Sequence, residues 1–196
     1  DKFHIQIYDA SSRNDCFALA EMAKEKMGGL DVLCNIAGFA MSRHFTDITE
    51  DEWDKMLAVN LSGVFYCAQA AMPLLLDGGG SMVNMASSAG LVGQAYQASY
   101  CATKAGVVML SKSLAMEYSK RGVRVNAICP GSVSTPLVEN FTVPDGIDMD
   151  LFQRLFPLID AAEPEEIAAA VLYLASADAR FVTGVALPID GAQTAG

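Results

Sequence analysis

The stretch DVLCNIAG, residues 31–38, holds the key to the architecture. Val32, Leu33 and Cys34 form an apolar run too short for a helix, and the Asn35 to Gly38 segment that follows gives the chain its exit. A strand with one face in water alternates apolar and polar residues, whereas a nearly unbroken apolar strand is buried on both faces. The same design returns in SMVNMA at 81–86, in GVRVNAICPG at 122–131 and in VALPIDG at 185–191. FHIQIY at 3–8 reads as a further strand, with Asp9 as its polar exit.

Helices fill the intervals. Leu19, Ala23 and Met27 recur at i+4, which predicts an amphipathic helix over 14–27 closed by Gly28-Gly29. Thr49-x-x-Glu52 has the form of a capping box for a helix starting near Asp51 and running, with a bend by Pro73, to about Leu76. The longest helix is expected from Ser99 to Lys120, and Glu163-Pro164-Glu165-Glu166 opens another to Ala175 with acids in its first turn, as the helix dipole favours. Residues 137–162 read as irregular. Alternating strands and helices predict an α/β fold, a doubly wound parallel sheet with helices on both faces, in a single domain. Ligands of such sheets bind beyond the carboxyl ends of the strands, where the strand order reverses. Asp9, Asn35 to Gly38, Ser87-Ser88 and Pro130 to Thr135 are therefore the residues to watch.

Composition narrows the function. The formal charge is −10 with 13 Lys and Arg dispersed along the chain, which argues against a nucleic-acid partner. No apolar run reaches the ~18 to 20 residues of a membrane span, so no membrane partner is expected. Cys16, Cys34, Cys67, Cys101 and Cys129 lack Cys-x-x-Cys spacing and mostly sit in apolar runs, as small core residues of a reducing, cytoplasmic compartment do. Only two histidines are present, His4 and His44, and no metal site is expected.

SYCATKAG, 99–106, places Tyr100 and Lys104 one helical turn apart on a shared face. A nearby ammonium favours the phenolate and is expected to bring the tyrosine toward a working pKa. Ser87 leaves a strand ahead of the loop that leads to Tyr100, and its hydroxyl is suited to hold an oxygen whose charge changes. Such a set moves a proton on or off an alcohol or carbonyl oxygen while a hydride moves at carbon, and the hydride requires a cofactor. Gly38 and Gly131 mark places where backbone comes close to a bound ring or phosphate. Asn60, inside the apolar run MLAVNLSGVFY, is either a helix-packing amide or a functional one.

These motifs, in this order, resemble the short-chain dehydrogenase/reductase family over essentially the whole chain. CNIAG at 34–38 is similar to the family's Asn-Asn-Ala-Gly motif, with Ile36 in place of the second asparagine. The resemblance implies a Rossmann-type NAD(P)-binding domain with Asn60, Ser87, Tyr100 and Lys104 as catalytic residues. Ser87 positions the substrate oxygen, Tyr100 is acid and base, Lys104 holds the nicotinamide ribose, and Asn60 keeps a bent helix and a water in a proton relay. Asp9, Ala10, Asn35, Ala37, Gly38, Tyr100, Lys104, Pro130, Gly131, Val133 and Thr135 would border the cofactor, with Asp9 at the adenine. The family's first strand, Gly-rich turn, first helix and second strand have no counterpart in residues 1–196, so the chain is expected to be part of a longer one and the FHIQIY strand to lack a neighbour.

The resemblance further implies interconversion of a secondary alcohol and a ketone. An epimerase, dehydratase or lyase on the same fold, or a cofactor-binding regulatory protein without turnover, are the alternatives. Residues 137–162 would be the substrate-binding flap, and Ser87, Gln94, Tyr96, Tyr100, Leu137 and Phe141 the contacts to a small, mainly apolar substrate. Homo-tetramers or homo-dimers are expected through the two long helices. The acidic net charge favours NAD over NADP.

Overall fold

The computed structural model describes residues 3–139 and 141–195. A parallel sheet runs in the order β1 (Val32–Asn35), β2 (Gly80–Met85), β3 (Val123–Pro130), β4 (Ala186–Ile189). Its register pairs Val32 with Ser81, Met82 with Val125 and Ile128 with Leu187. The described strands follow one another in sequence order, so no reversal of strand order falls among them.

Alternation along β2 and β3 explains why both faces are covered. Met82, Val123, Val125, Ala127 and Cys129 meet helices α3 (Gly63–Leu75) and α4 (Ala98–Tyr118) on one face. Val83 and Ile128 meet α7 (Pro164–Ala175) on the other, through Ile167 and Leu174. Helix α1 (Arg13–Met27) lies on α3, and Gly63 makes that approach possible: a Cβ there would stand 2.3 Å from the carbonyl oxygen of Ala10.

The predicted capping box at Thr49 and Glu52 is present and starts α2 (Glu50–Leu57). A π-helical turn, Ala58–Ser62, joins α2 to α3. This 26-residue stretch, Glu50–Leu75, is apolar and long enough by composition to cross a membrane. Met56, Asn60, Val64 and Leu75 along it are buried among neighbouring elements.

Three expectations fail. FHIQIY forms no strand; Phe3, Ile5 and Ile7 are 86–91% exposed, because a strand exists only against a partner ladder and β1 is the edge of the described sheet. Cys34 is exposed on that edge rather than in the core, although Cys16 and Cys129 are buried as expected. The 137–162 segment is not wholly irregular: it follows the start of α5 (Pro136–Glu139) and contains α6 (Met149–Gln153).

Candidate active site

Sheet and helix ends bring Gly38, Ser87, Tyr100, Lys104 and the 130–135 segment together at the carboxyl edge of the strands. Asn35 ends β1, and its Nδ2 donates to Asn84 Oδ1 on β2 at 2.8 Å. Asn84 Nδ2 donates to Ser111 Oγ on α4 at 2.9 Å, and Ser111 Oγ donates to the Val107 carbonyl. This buried ladder across three elements fixes α4 against the sheet. Asn84 and Ser111 were not singled out in the sequence; a polar residue inside a two-faced apolar strand is the signal that marks Asn84.

The π turn aims Asn60 at the exit of β1. Its Oδ1 accepts from Phe39 N at 3.0 Å, and its Nδ2 donates to Phe39 O at 2.7 Å and lies 2.9 Å from Met56 sulfur. The Asn60 side chain thus satisfies both backbone groups of Phe39. Gly38 stands beside it, where a Cβ would come within 3.1 Å of Asn60 Oδ1 and 3.5 Å of Lys104 Nζ.

Ser87 follows β2, and its Oγ accepts from Ala89 N at 3.2 Å. Tyr100 and Lys104 lie in the first turns of α4, with Lys104 Nζ 5.6 Å from the Tyr100 ring centroid and donating to Met85 O at 2.8 Å. Burial raises the Tyr100 phenol above its ordinary value, and a hydrogen bond with the Ser87 side chain pulls it back partway. Burial brings the Lys104 ammonium down to about 8. The expectation that the lysine lowers the tyrosine is therefore corrected for the protein alone. Both groups are desolvated, and desolvation opposes both charged forms.

A cavity of about 340 Å³ opens here, lined by Gly38, Met85, Ser87, Tyr100, Lys104, Pro130, Gly131, Val133 and Thr135 among others. Gly131 itself packs on Asp190, against whose Cα a Cβ would stand at 2.9 Å. A narrower cleft of about 110 Å³ shares Ser87, Tyr100, Gly131, Leu137 and Val138 with it. Gln94, Gln97 and Ser88 form its polar side and Phe141, Phe152 and Phe156 its apolar side, and among the described residues no charged side chain lines it. Tyr96, expected to touch substrate, does not line this cleft: its hydroxyl accepts from Asp148 N at 2.7 Å.

Asp9 and Ala10 lie apart from both cavities. Asp9 is exposed, and hydrogen bonds from the Ser11 side chain and backbone hold its carboxyl below the usual value. Ala10, Asn35 and Ala37 line a small cleft of about 10 Å³ next to Gly63.

The chain matches the family model described as "Enoyl-(Acyl carrier protein) reductase" over residues 3–194. It is 41% identical over 193 residues to 2,5-dichloro-2,5-cyclohexadiene-1,4-diol dehydrogenase LinX of Sphingobium indicum, covering 98% of this chain and 75% of that protein. It is 42% identical over 193 residues to D-threitol dehydrogenase of Mycolicibacterium smegmatis, covering 98% of this chain and 72% of the relative. A solved structure from Burkholderia xenovorans, described as a short-chain dehydrogenase/reductase, superposes with a TM-score of 0.87 at 30% identity, over 97% of this chain and 74% of that one.

Proposed function

The chain belongs to the short-chain dehydrogenase/reductase family and is an NAD(P)-dependent oxidoreductase of alcohols and ketones, and on that premise we propose that Tyr100, Ser87 and Lys104 carry its chemistry. The observation that supports this most is the sharing of Ser87 and Tyr100 between the two adjoining cavities, one flanked by Lys104 and the other by the apolar flap. The residues fit a nicotinamide cofactor: the larger cavity reaches Gly38, whose missing side chain keeps its wall open, and Thr135 and Val133 offer polar and apolar surface beyond. Bound there, the nicotinamide supplies the hydride acceptor or donor that no side chain can provide.

In oxidation Tyr100, as the phenolate, takes the alcohol proton while the Ser87 hydroxyl holds the oxygen. Lys104 keeps a positive charge beside the phenol as it ionises and is the group placed to pass the proton on. Asn60 acts through the backbone it fixes, holding Gly38 and Phe39 as a wall of the cavity. Residues 137–162 form the substrate flap, with Leu137 and Phe141 on the cleft, and the uncharged lining favours a small, mainly apolar alcohol or ketone. Replacing Tyr100 by Phe is expected to lower kcat by ~10²- to 10⁴-fold with cofactor affinity nearly unchanged. Ordinary kcat in that variant would sink the assignment.

The cofactor is proposed to be NAD. The net charge of −10 disfavours an additional phosphate, and Arg13, near Asp9 in sequence, is stacked 4.0 Å over the Phe17 ring. A direct comparison of kcat/KM with the two cofactors tests this, and more than about tenfold preference for NADP, or ~1.4 kcal/mol of transition-state stabilisation, would overturn it. The five cysteines are all free, which supports the cytoplasmic assignment; fractionation finding the protein elsewhere would refute it. We further propose a homo-dimer or homo-tetramer built on α3 and α4.

A further inference from the structure

The flap is fastened to the rest of the molecule from two sides. At its far end Gln193 Nε2 donates to Leu155 O at 2.7 Å, and Leu158 N donates to Gly191 O at 2.9 Å. At its near end His44 Nε2 meets Asp145 O at 2.8 Å, and the Tyr96 hydroxyl accepts from Asp148 N at 2.7 Å. A carbonyl oxygen only accepts, so His44 must carry its hydrogen on Nε2. The two rings meet edge to face, with centroids 5.3 Å apart.

Three further features show this pair to be held in advance of the flap. Arg43 N donates to Tyr96 O at 2.8 Å, tying the two loops together next to the rings. Arg43 also pairs with Glu52 at 3.0 Å, and Glu52 belongs to the capping box of α2, so the His44 loop is anchored to a helix start. Tyr96 itself is held at φ 65, a left-handed conformation that a tyrosine seldom adopts and that persists only where surrounding contacts impose it. Asp148 is in turn the N-cap of α6, accepting from Asp150 N and Leu151 N, and α6 carries Phe152 to the cleft.

We propose that His44 and Tyr96 are positioning residues that latch the flap at residues 145–148 and thereby set where Phe152 and Phe156 stand against the substrate. The latch touches neither the reacting atoms nor the cofactor cavity. It governs substrate affinity and discrimination between bulky and small apolar alcohols, and leaves the proton transfer at Tyr100 alone. This rests on the reading of 137–162 as the substrate flap.

Tyr96→Phe removes one hydroxyl and keeps the ring; His44→Phe removes the Nε2 donor and keeps the edge contact. In the full-length protein, hydrogen exchange over 142–156 is expected to quicken about three- to tenfold in each variant, the effect of losing one hydrogen bond, with the melting temperature lowered by at most about 2–4 °C. KM for a bulky apolar secondary alcohol is expected to rise by a similar factor, with kcat held within about twofold. The double variant is expected to exceed neither single one by the full product, since both act through one segment. Unchanged exchange in both variants would show that there is no latch. Faster exchange with unaltered KM for every alcohol would show that the latch does not position the substrate wall. Absence of alcohol turnover in the wild type would strike the proposed reaction, while the exchange result would still decide the latch.

Discussion

At the scale of the residue, Lys104 shows what burial does to an ammonium group. It is 3% exposed, its ammonium has one carbonyl partner, and its value falls from 10.5 to about 8. The unfolded chain therefore binds more protons than the folded one between pH 8 and 10.5, so this lysine's contribution to stability grows as pH rises through that window and is lost as pH falls through about 8. Urea unfolding of the wild type and of Lys104→Met across pH 7 to 10.5 is expected to show the difference moving in favour of the wild type with rising pH. A pH-independent difference would contradict it. Spacing put Tyr100 and Lys104 on one helical face and Ser87 at a strand exit, but it was the ordered set of motifs, through its family resemblance, that singled them out. His44 and the true partner of Tyr96 were not, since their contacts span 101 and 52 residues and follow from no local period.

At the scale of the element, the ladder from Asn35 through Asn84 to Ser111 joins two strands and a helix. Asn84→Ala leaves the Asn35 amide buried without its acceptor, which is expected to cost on the order of 1–3 kcal/mol. Chemical denaturation at unchanged slope reads this directly, and a loss within error would show that the ladder carries no stability. Helix and strand positions were readable from period and caps: Thr49 and Glu52 start α2 as predicted, and Gly28 ends α1. FHIQIY misled because alternation describes what a strand needs while saying nothing of whether a neighbour supplies the ladder. The π turn was invisible for a different reason. One additional residue among 26 barely disturbs an apolar pattern, yet it is what turns Asn60 toward Phe39.

At the scale of the whole molecule, the helices proposed for self-association leave a groove of about 630 Å³ between α3 and α4, lined by Phe65, Met72, Leu110, Leu114 and Tyr118. Of the apolar residues on these two helices, Val64 and Val107 are buried in the core, while Met109 and Met116, at 61% and 84% exposure, take the outer stripe. Apolar content alone does not reveal the rotation of a helix about its axis. Phe65→Glu with Met116→Lys is expected to shift the full-length protein to a lower mass in light-scattering chromatography and to reduce activity, because Tyr100 lies at the start of α4. A single-chain mass for the active wild type would refute the association. The π turn also bears on how the two ends of its helix face their neighbours. Were all five residues of Ala58–Ser62 wound as regular α-helix, with none removed, everything beyond them would swing by about 100°. Gly63 would then no longer face Ala10, nor Val64 the sheet. The turn is in effect a phase setting between the cavity wall and the hydrophobic core: it takes up one residue more than an α-helical turn holds, and so keeps the faces on either side of it aligned.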